Sequence, residues 1–359
     1  MLTPHPAMAR AEAFCRAYDL RIPVLVAPMA GACPASLSIA VATAGGLGAC
    51  GALLMPPAAI NAWAAEVRAS TNGGFQLNLW IPDPPPARDA AAEAAVRDFL
   101  GAWGPEVPPE AANVTLPDFA AQCEAMLATG PAVISSIMGL YPPEFVARMK
   151  AGGIRWFASV TTVREALQAE AAGADAIVAQ GMEAGGHRGA FDPAKAETAM
   201  VGLFSLLPAV ADAVKVPVIA SGGIADARGV AAALILGASA VQIGTGFLRS
   251  PEAKLPSAWA DAIGRSRPEE TLVTRAFSGR PGRSVATAYA RAASAPDAPP
   301  PAPYPVQRGL TQAMRDAAAK SGDIDRMQAW SGQSGGLALP RPAGDIAREL
   351  WDGARQMLQ

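Results

Sequence analysis

One recurring phrase does most to limit the folds open to this chain. A helical stretch ends in Ala-Gly or Gly-Ala, a short turn follows, and a β-branched or apolar run comes next. Four copies stand at "ATAGGLGACG" (42–51), "MKAGGIRWFASV" (149–160), "EAAGADAIVAQ" (170–180) and "ALILGASAVQIG" (233–244). Glycine just past a helix end readily adopts the left-handed conformation that terminates the helix. Four such junctions predict repeated βα units.

The other apolar runs complete a set of about eight predicted strands. They lie at 23–27, 47–51, 75–79, 131–135, 154–160, 175–180, 216–221 and 240–244. Continuous apolar runs such as "VPVIAS" are typical of parallel strands that are buried on both faces. Eight alternating βα units favour a closed (β/α)8 barrel, the TIM barrel of the α/β class, over an open sheet.

Two proline-rich stretches interrupt the barrel pattern. The first, 81–118, predicts an insertion after the third strand that carries only short helices. The second contains "SAPDAPPPAPYP" at 294–305, which favours an extended segment or a hinge. We therefore predict a barrel formed by 1–247 and 330–359, with a smaller helical subdomain, 248–329, over its C-terminal mouth.

Composition excludes several classes of partner. Lys and Arg number 29 against 31 Asp and Glu, without a basic block, so a nucleic-acid partner is not expected. No apolar run approaches the roughly 20 residues of a membrane span. The N-terminus lacks a secretion signal, and the four cysteines are scattered without a CxxC pair, which favours reduced, buried thiols and a cytoplasmic location.

The active site of such a barrel lies at the carboxyl ends of its strands, and the last two of these loops are rich in glycine. Gly222 and Gly223 follow the seventh strand, Gly244 ends the eighth, and Thr245 follows it. Glycine-rich backbone at this position presents bare N–H groups to an anion. These residues predict a phosphate site, although glycines that merely form turns would give a similar pattern.

Elimination narrows the identity of the phosphate ligand. No GxGxxG motif follows the first strand and no Walker motif occurs, so a dinucleotide and P-loop chemistry are not expected. None of the five lysines lies near the carboxyl end of a predicted strand, which argues against pyridoxal phosphate. His187 has no second histidine nearby, because His5 lies in the N-terminal tail, and we predict no metal site.

Flavin mononucleotide (FMN) remains as the favoured ligand. The "APMAG" loop around Met29 would allow the backbone to approach a flavin ring, with the amides of Asn78 and Gln180 beside it. A glutamine at a strand end can also brace its own loop, and for Gln180 that alternative stays open.

Several stretches resemble one family, the nitronate monooxygenases, formerly called 2-nitropropane dioxygenases. They are "PVLVAPMAGACPASLSIAVATAGGLGACG", "FQLNLW", "AQGMEAGGHRG", "VIASGGIADARGVAAALILGASAVQIGTGFL", "PYPVQRGL" and "WSGQSGGL", and the likeness runs from about residue 20 to 340. The resemblance implies FMN bound without a covalent link. It implies flavin contacts from Met29, Asn78, Gln180, Gly185, Gly186, Gly222, Gly223, Gln242, Ile243, Gly244 and Thr245.

The resemblance also implies the reaction, the oxidation of alkyl nitronates such as propionate 3-nitronate with O2 by a monomer or homodimer. His187 would face the substrate, and the glycines around it would leave room for the flavin and a small molecule. Imidazole titrates near neutral pH, so His187 would serve as a base toward a neutral nitroalkane.

The substrate pocket implied by the resemblance includes Tyr304 and Arg308. The family more often has Lys at the position of Arg308. Met138 stands where the family usually shows a phenylalanine-rich turn, which predicts a reshaped pocket with Met138 at the substrate.

Three alternatives stay open. Two are enzymes of the same flavin-barrel superfamily, an FMN-dependent enoyl-acyl carrier protein reductase that uses NAD(P)H and an NADH:quinone reductase. The third is a flavin-binding barrel without turnover, although a storage site has no need of a base such as His187 at its mouth.

Overall fold

The computed structural model describes residues 5–359, and a parallel barrel forms its centre. Eleven strands occur within this range: β1 Val24–Val26, β2 Gly48–Gly51, β3 Phe75–Trp80, β4 Val133–Ile137, β5 Arg155–Val160, β6 Ala176–Gln180, β7 Gly186–His187, β8 Val218–Ser221, β9 Ala240–Ile243, β10 Thr271–Thr274 and β11 Gly282–Val285. Eight of them pair in parallel in the order β1-β9-β8-β6-β5-β4-β3-β2. A parallel bridge between Leu25 and Leu47 joins β1 to the start of β2 and closes the barrel.

The eight strands confirm the predicted barrel. Each predicted strand is present, and its ends differ from the observed ones by at most two residues. The alternation of side chains along each strand explains why the apolar runs are continuous. Phe157 of β5 points into the barrel interior with Leu25 and Ile219, whereas its neighbour Trp156 packs in the outer layer against the helices.

Fourteen α-helices occur within residues 5–359, and most of them surround the barrel. Their bounds are α1 Pro6–Ala17, α2 Ala35–Ala44, α3 Pro57–Ser70, α4 Ala90–Leu100, α5 Phe119–Thr129, α6 Pro143–Ala151, α7 Val163–Ala171, α8 Leu203–Ala213, α9 Ala227–Ile235, α10 Ser257–Arg265, α11 Ala288–Ala292, α12 Val306–Leu310, α13 Gln312–Ser321 and α14 Ala343–Met357. Each of the four recurring junctions contains a glycine at positive φ, for example 104° at Gly45 and 114° at Gly237. The final helix, α14, packs against α2 and α9 and returns the chain to the barrel.

In the part of the chain described here, no helix combines the length and the apolar character that crossing a membrane requires.

A small antiparallel sheet, which the sequence did not predict, lies at the barrel mouth. Its strands pair in the order β10-β11-β7, with Gly282 opposite His187. The segment predicted as a helical subdomain therefore also contains two strands. Through this pairing, the loop that carries His187 is attached to residues 271–285.

A second hydrophobic core lies outside the barrel. It joins Val96 and Leu100 of the proline-rich insertion to Phe277, Tyr289 and Leu310. The insertion supplies helix α4, which at 11 residues is longer than the short helices expected there. The division of the chain into 1–247 with 330–359 and 248–329 stays a prediction.

Candidate active site

A cavity of about 350 Å³ opens at the carboxyl ends of the barrel strands. Its size falls within the roughly 300–1,000 Å³ of small-molecule and cofactor sites. Fourteen of the residues selected from the sequence line it: Met29, Asn78, Gln180, Gly185, Gly186, His187, Gly222, Gly223, Gln242, Ile243, Gly244, Thr245, Tyr304 and Arg308. Met138 does not line this cavity; it is buried, and its neighbour Ile137 contributes to the lining instead.

Side-chain amides stand at the base of the cavity. Asn78 donates to Ser135 Oγ at 3.0 Å, and Gln242 Oε1 accepts from Gln76 Nε2 at 3.0 Å. Gln180 Oε1 accepts from the N–H of Gly189 at 2.8 Å, while its Nε2 donates to the carbonyl of His187 at 3.1 Å. Gln180 therefore braces the loop that carries His187 in addition to lining the cavity.

Glycines form one rim of the cavity. Gly222 and Gly223 have φ of 103° and 70°, and a Cβ added at Gly185 would lie 2.5 Å from the backbone nitrogen of Gly332. The backbone N–H groups of Gly222, Gly223 and Gly244 donate to no other group within residues 5–359. The rim thus combines close packing with free hydrogen-bond donors, an arrangement that suits an anion.

The segment that follows Trp330 crosses this rim. The N–H of Gly332 donates to Thr245 Oγ1 at 2.9 Å, and Ser334 Oγ donates to the carbonyl of Gly223 at 2.7 Å. These two bonds tie the stretch "WSGQSGGL" to the loops that follow β8 and β9.

His187 lies on β7 between two tryptophan rings. The centroid of its imidazole is 4.7 Å from that of Trp80 and 4.9 Å from that of Trp330, both in edge-to-face arrangements. Its Nε2 is 2.7 Å from Ser278 Oγ. Burial, and then the positive charges of Arg280 and Arg308, lower the pKa of His187 from its usual 6.5 to about 3. The imidazole is therefore neutral at physiological pH, and the titration near neutral pH that was expected from the sequence does not hold for this ring.

Tyr304 and Arg308 supply polar groups that lack partners. The Tyr304 hydroxyl is buried and makes no hydrogen bond within the described chain, and burial raises its pKa to about 12. The Arg308 guanidinium lines the cavity and likewise has no hydrogen bond or ion pair within residues 5–359. A second guanidinium in the lining, that of Arg315, is fully engaged, donating to Gln328 Oε1 and to the carbonyl of Arg308.

Arg280 stands behind this wall and joins three segments of it. It is 2% exposed, forms an ion pair with Asp83 at 2.7 Å, and donates to the carbonyl of Ala190 at 2.9 Å. Asp83 lies three residues after Trp80, and Ala190 three residues after His187. This buried cation therefore connects the loops on either side of the imidazole.

Four residues around His187 were not predicted from the sequence: Trp80, Ser278, Arg280 and Trp330. Only Trp80 gave a usable signal, because it directly follows the predicted strand 75–79, at the edge where barrel sites lie. Ser278 and Arg280 lie in the subdomain predicted over the mouth, and Trp330 begins the stretch "WSGQSGGL", but no local pattern singles out these three residues.

Neither the cysteines nor the metal-ligating side chains of residues 5–359 form a further site. All four cysteines are unpaired and buried, as expected, and burial raises the pKa of Cys33 to about 12. Within residues 5–359, no group of three or more His, Cys, Asp or Glu side chains is placed to hold a metal ion.

Comparisons with known proteins agree with this geometry. The family model described as nitronate monooxygenase matches residues 14–353. A nitronate monooxygenase from Paraburkholderia phytofirmans is 37% identical over 343 residues, which cover 94% of this chain and 93% of that protein. The structure of a nitroalkane oxidase from Streptomyces ansochromogenes has a TM-score of 0.86 at 35% identity, covering 96% of this chain and 100% of that one. FabK from Thermotoga maritima follows with a TM-score of 0.76 at 27% identity, covering 99% and 97% of the two chains.

The match extends over the barrel and over the segments that bring Tyr304, Arg308 and Trp330 to its mouth. The chain belongs to the nitronate monooxygenase family.

Proposed function

We propose that this protein oxidises alkyl nitronates with O2, using FMN held in the cavity at the barrel mouth. The observation that carries the proposal is the convergence of three groups on one cavity. A neutral imidazole, that of His187, faces the same space as the unpartnered hydroxyl of Tyr304 and the unpartnered guanidinium of Arg308. A nitronate is a small anion, and its oxygens suit these two donors.

The residues present fit FMN. The free N–H groups of Gly222, Gly223 and Gly244 suit a phosphate. A side chain at Gly222 would be strained by its φ of 103° and would lie 3.0 Å from the nitrogen of Ala184, so this part of the rim tolerates only bare backbone. Met29 and Asn78 would stand beside the flavin ring. When bound, FMN supplies the electron acceptor that oxidation of a nitronate requires.

The protein's own residues bind and orient the substrate. Arg308 and Tyr304 hold the anion, and the rings of Trp80 and Trp330 limit the access of water to His187. A neutral nitroalkane would lose its α-proton to His187, whereas a preformed nitronate would only be positioned by it.

The proposal is tested by anaerobic mixing of the purified, flavin-loaded protein with propionate 3-nitronate and, separately, with NADH, while the flavin absorbance is followed. We expect the spectrum to change with the nitronate and to stay constant with NADH. Reduction by NADH, without a change on adding nitronate, would contradict the proposal and favour one of the reductases.

The role of His187 is tested with His187→Asn. We expect the variant to retain flavin and to lose roughly 10²- to 10⁴-fold in kcat/KM for nitroethane, with a smaller loss for the nitronate prepared from it, measured as O2 consumption. His5→Asn serves as the matched control, because His5 caps α1 far from the cavity and Asn is also a good helix cap. Unchanged nitroethane turnover in His187→Asn would exclude His187 as the base.

A further inference from the structure

The hydroxyl of Ser278 has three polar contacts, and in one of them its oxygen accepts from the N–H of Arg280 at 3.4 Å. Its Oγ is 2.7 Å from His187 Nε2 and 3.2 Å from the carbonyl oxygen of Arg280. A serine hydroxyl has one proton to donate, and a carbonyl oxygen can only accept. No other donor within residues 5–359 reaches the Arg280 carbonyl, which belongs to a residue that is 2% exposed.

These contacts determine where the protons lie. A buried carbonyl without a partner is costly, so the proton of Ser278 is directed to Arg280. The short contact between Ser278 and His187 then requires the imidazole to donate from Nε2. In a neutral imidazole one nitrogen carries the proton and the other carries the lone pair.

We propose that Ser278 is a positioning residue that holds His187 with its proton on Nε2, so that the lone pair of Nδ1 faces the cavity. Nδ1 has no hydrogen-bond partner within the described chain, although the ring lines the cavity. The rings of Trp80 and Trp330 contact the imidazole from two sides and restrict its rotation.

Contacts on both sides fix the turn that carries Ser278. Thr311 Oγ1 donates to the carbonyl of Phe277 at 2.7 Å, and Gln307 Nε2 donates to that of Ala276 at 2.8 Å. On the other side, Arg280 is held by its ion pair with Asp83. Ser278 is 1% exposed, so its hydroxyl is a fixed hydrogen-bond partner and not a mobile surface group.

The chemical consequence rests on the proposed function. When a neutral nitroalkane binds, its α C–H bond breaks, the proton passes to Nδ1, and the electron pair stays on the substrate as the nitronate. The imidazolium formed in this step keeps its Nε2–H bond to Ser278, which becomes charge-assisted and therefore stronger. This bond offsets part of the repulsion from Arg280 and Arg308, which disfavours the protonated ring.

The tautomer of His187 can be observed by NMR, without an activity assay. The chain has only two histidines, so the oxidised holoenzyme labelled with ¹⁵N-histidine gives two imidazole spin systems, and His5→Asn leaves that of His187 alone. Long-range ¹H–¹⁵N correlations identify which ring nitrogen carries the proton. We expect a protonated Nε2 and an unprotonated Nδ1 at neutral pH, and a protonated Nδ1 would overturn the proposal.

Two substitutions separate positioning from general structural support. In Ser278→Ala we expect the Nδ1–H tautomer to become populated and kcat for nitroethane to fall roughly 10- to 100-fold, with KM little changed. Ser278→Thr keeps the hydroxyl and should keep the Nε2–H tautomer and most of kcat. An unchanged tautomer in Ser278→Ala would overturn the proposal. If wild type shows the expected tautomer but no turnover of nitroalkane or nitronate, the proposed function fails and the assignment of Ser278 stands.

Discussion

Two tyrosines show at the residue scale how a binding group differs from a structural one. The Tyr304 hydroxyl is buried without a partner, whereas the Tyr289 hydroxyl donates to the carbonyl of Ala276 at 3.1 Å. Removal of a satisfied buried hydrogen bond costs about 0.5–1.5 kcal/mol, whereas removal of an unsatisfied hydroxyl costs little. We expect Tyr289→Phe to lower the free energy of unfolding by that amount and Tyr304→Phe to leave it nearly unchanged, as measured by urea unfolding.

The same pair should show the opposite order in substrate binding. Tyr304→Phe should raise the KM for a nitronate several-fold, and Tyr289→Phe should leave KM close to that of the wild type. Equal losses of stability in the two variants would mean that the Tyr304 hydroxyl has a partner in solution and is not held free for a ligand.

His187 makes a separate prediction about pH. Its pKa is about 3 in the folded protein and near 6.5 when unfolded, so between these values the unfolded chain binds more protons. The contribution of His187 to the free energy of unfolding is therefore fully present above pH 6.5 and is lost as the pH falls toward 3. The free energy of unfolding falls by at most about 1.4 kcal/mol per pH unit. The fall is smaller than this limit because the ring lines the open cavity and is partly solvated there.

The measurement compares wild type with His187→Asn at one FMN concentration. Carboxylates titrate in both proteins, so the difference between the two free energies of unfolding isolates the imidazole. We expect wild type to lose more stability than His187→Asn between about pH 7 and pH 5. If the free energies of unfolding of the two proteins change in parallel with pH, the pKa of His187 is not lowered by burial in the folded protein.

At the scale of elements, the turn after β10 depends on Gly279. This glycine has φ of 89°, and an added Cβ would lie 2.5 Å from Tyr304 N and in collision with the carbonyl of Ala302. Gly322 ends α13 with φ of 69°, and a Cβ there would meet nothing within 4 Å. We expect Gly322→Ala to cost about 1–2 kcal/mol, the penalty for the left-handed conformation alone.

Gly279→Ala should cost clearly more than Gly322→Ala in thermal unfolding, because the close approach of 302–304 to this turn is lost as well. Equal costs would show that the two segments move apart easily. In that case Tyr304 would not be held against Trp80, from which its ring centroid now lies 5.2 Å.

Elements with a strong local signal were predictable, and those formed by distant pairing were not. Most barrel strands are largely apolar, buried runs preceded by a helix end or a turn, so the neighbouring sequence is enough to locate them. Strand β7 has two residues, and it exists only because Gly282 and Arg283 pair with it. Ser278 lies between β10 and β11, and a separate bridge joins Trp330 to Ser284 of β11. Both residues reach His187 through contacts between distant segments, which explains why neither was selected from the sequence.

The same reasoning applies to the site. The residues that line the cavity from strand ends were predictable, because parallel strands bring their carboxyl ends to one edge. A comparison of residue types alone predicts Met138 at the substrate. The backbone at Met138 has φ of 69°, and it is Ile137 that lines the cavity. Side-chain direction at a strand end is not encoded in residue type.

At the scale of the whole molecule, the flavin should stabilise the fold through contacts that span both halves of the barrel mouth. The rim glycines follow β8 and β9. Met29 follows β1, and Asn78 lies within β3. A ligand that binds only the folded state stabilises it by about 2.7 kcal/mol at a hundredfold excess over its Kd. We expect removal of the flavin to lower Tm and readdition of FMN to restore it.

Riboflavin provides the matched control for the phosphate, because it carries the same ring without the anion. If the free N–H groups of Gly222, Gly223 and Gly244 bind phosphate, riboflavin should restore Tm much less than FMN at the same concentration. Charge-assisted hydrogen bonds contribute about 1.5–3 kcal/mol each, so the two affinities should differ by at least tenfold. If FMN and riboflavin restore Tm equally, the phosphate lies in solvent and does not bind the rim glycines. If neither flavin changes Tm, the proposal that the cavity binds FMN is contradicted.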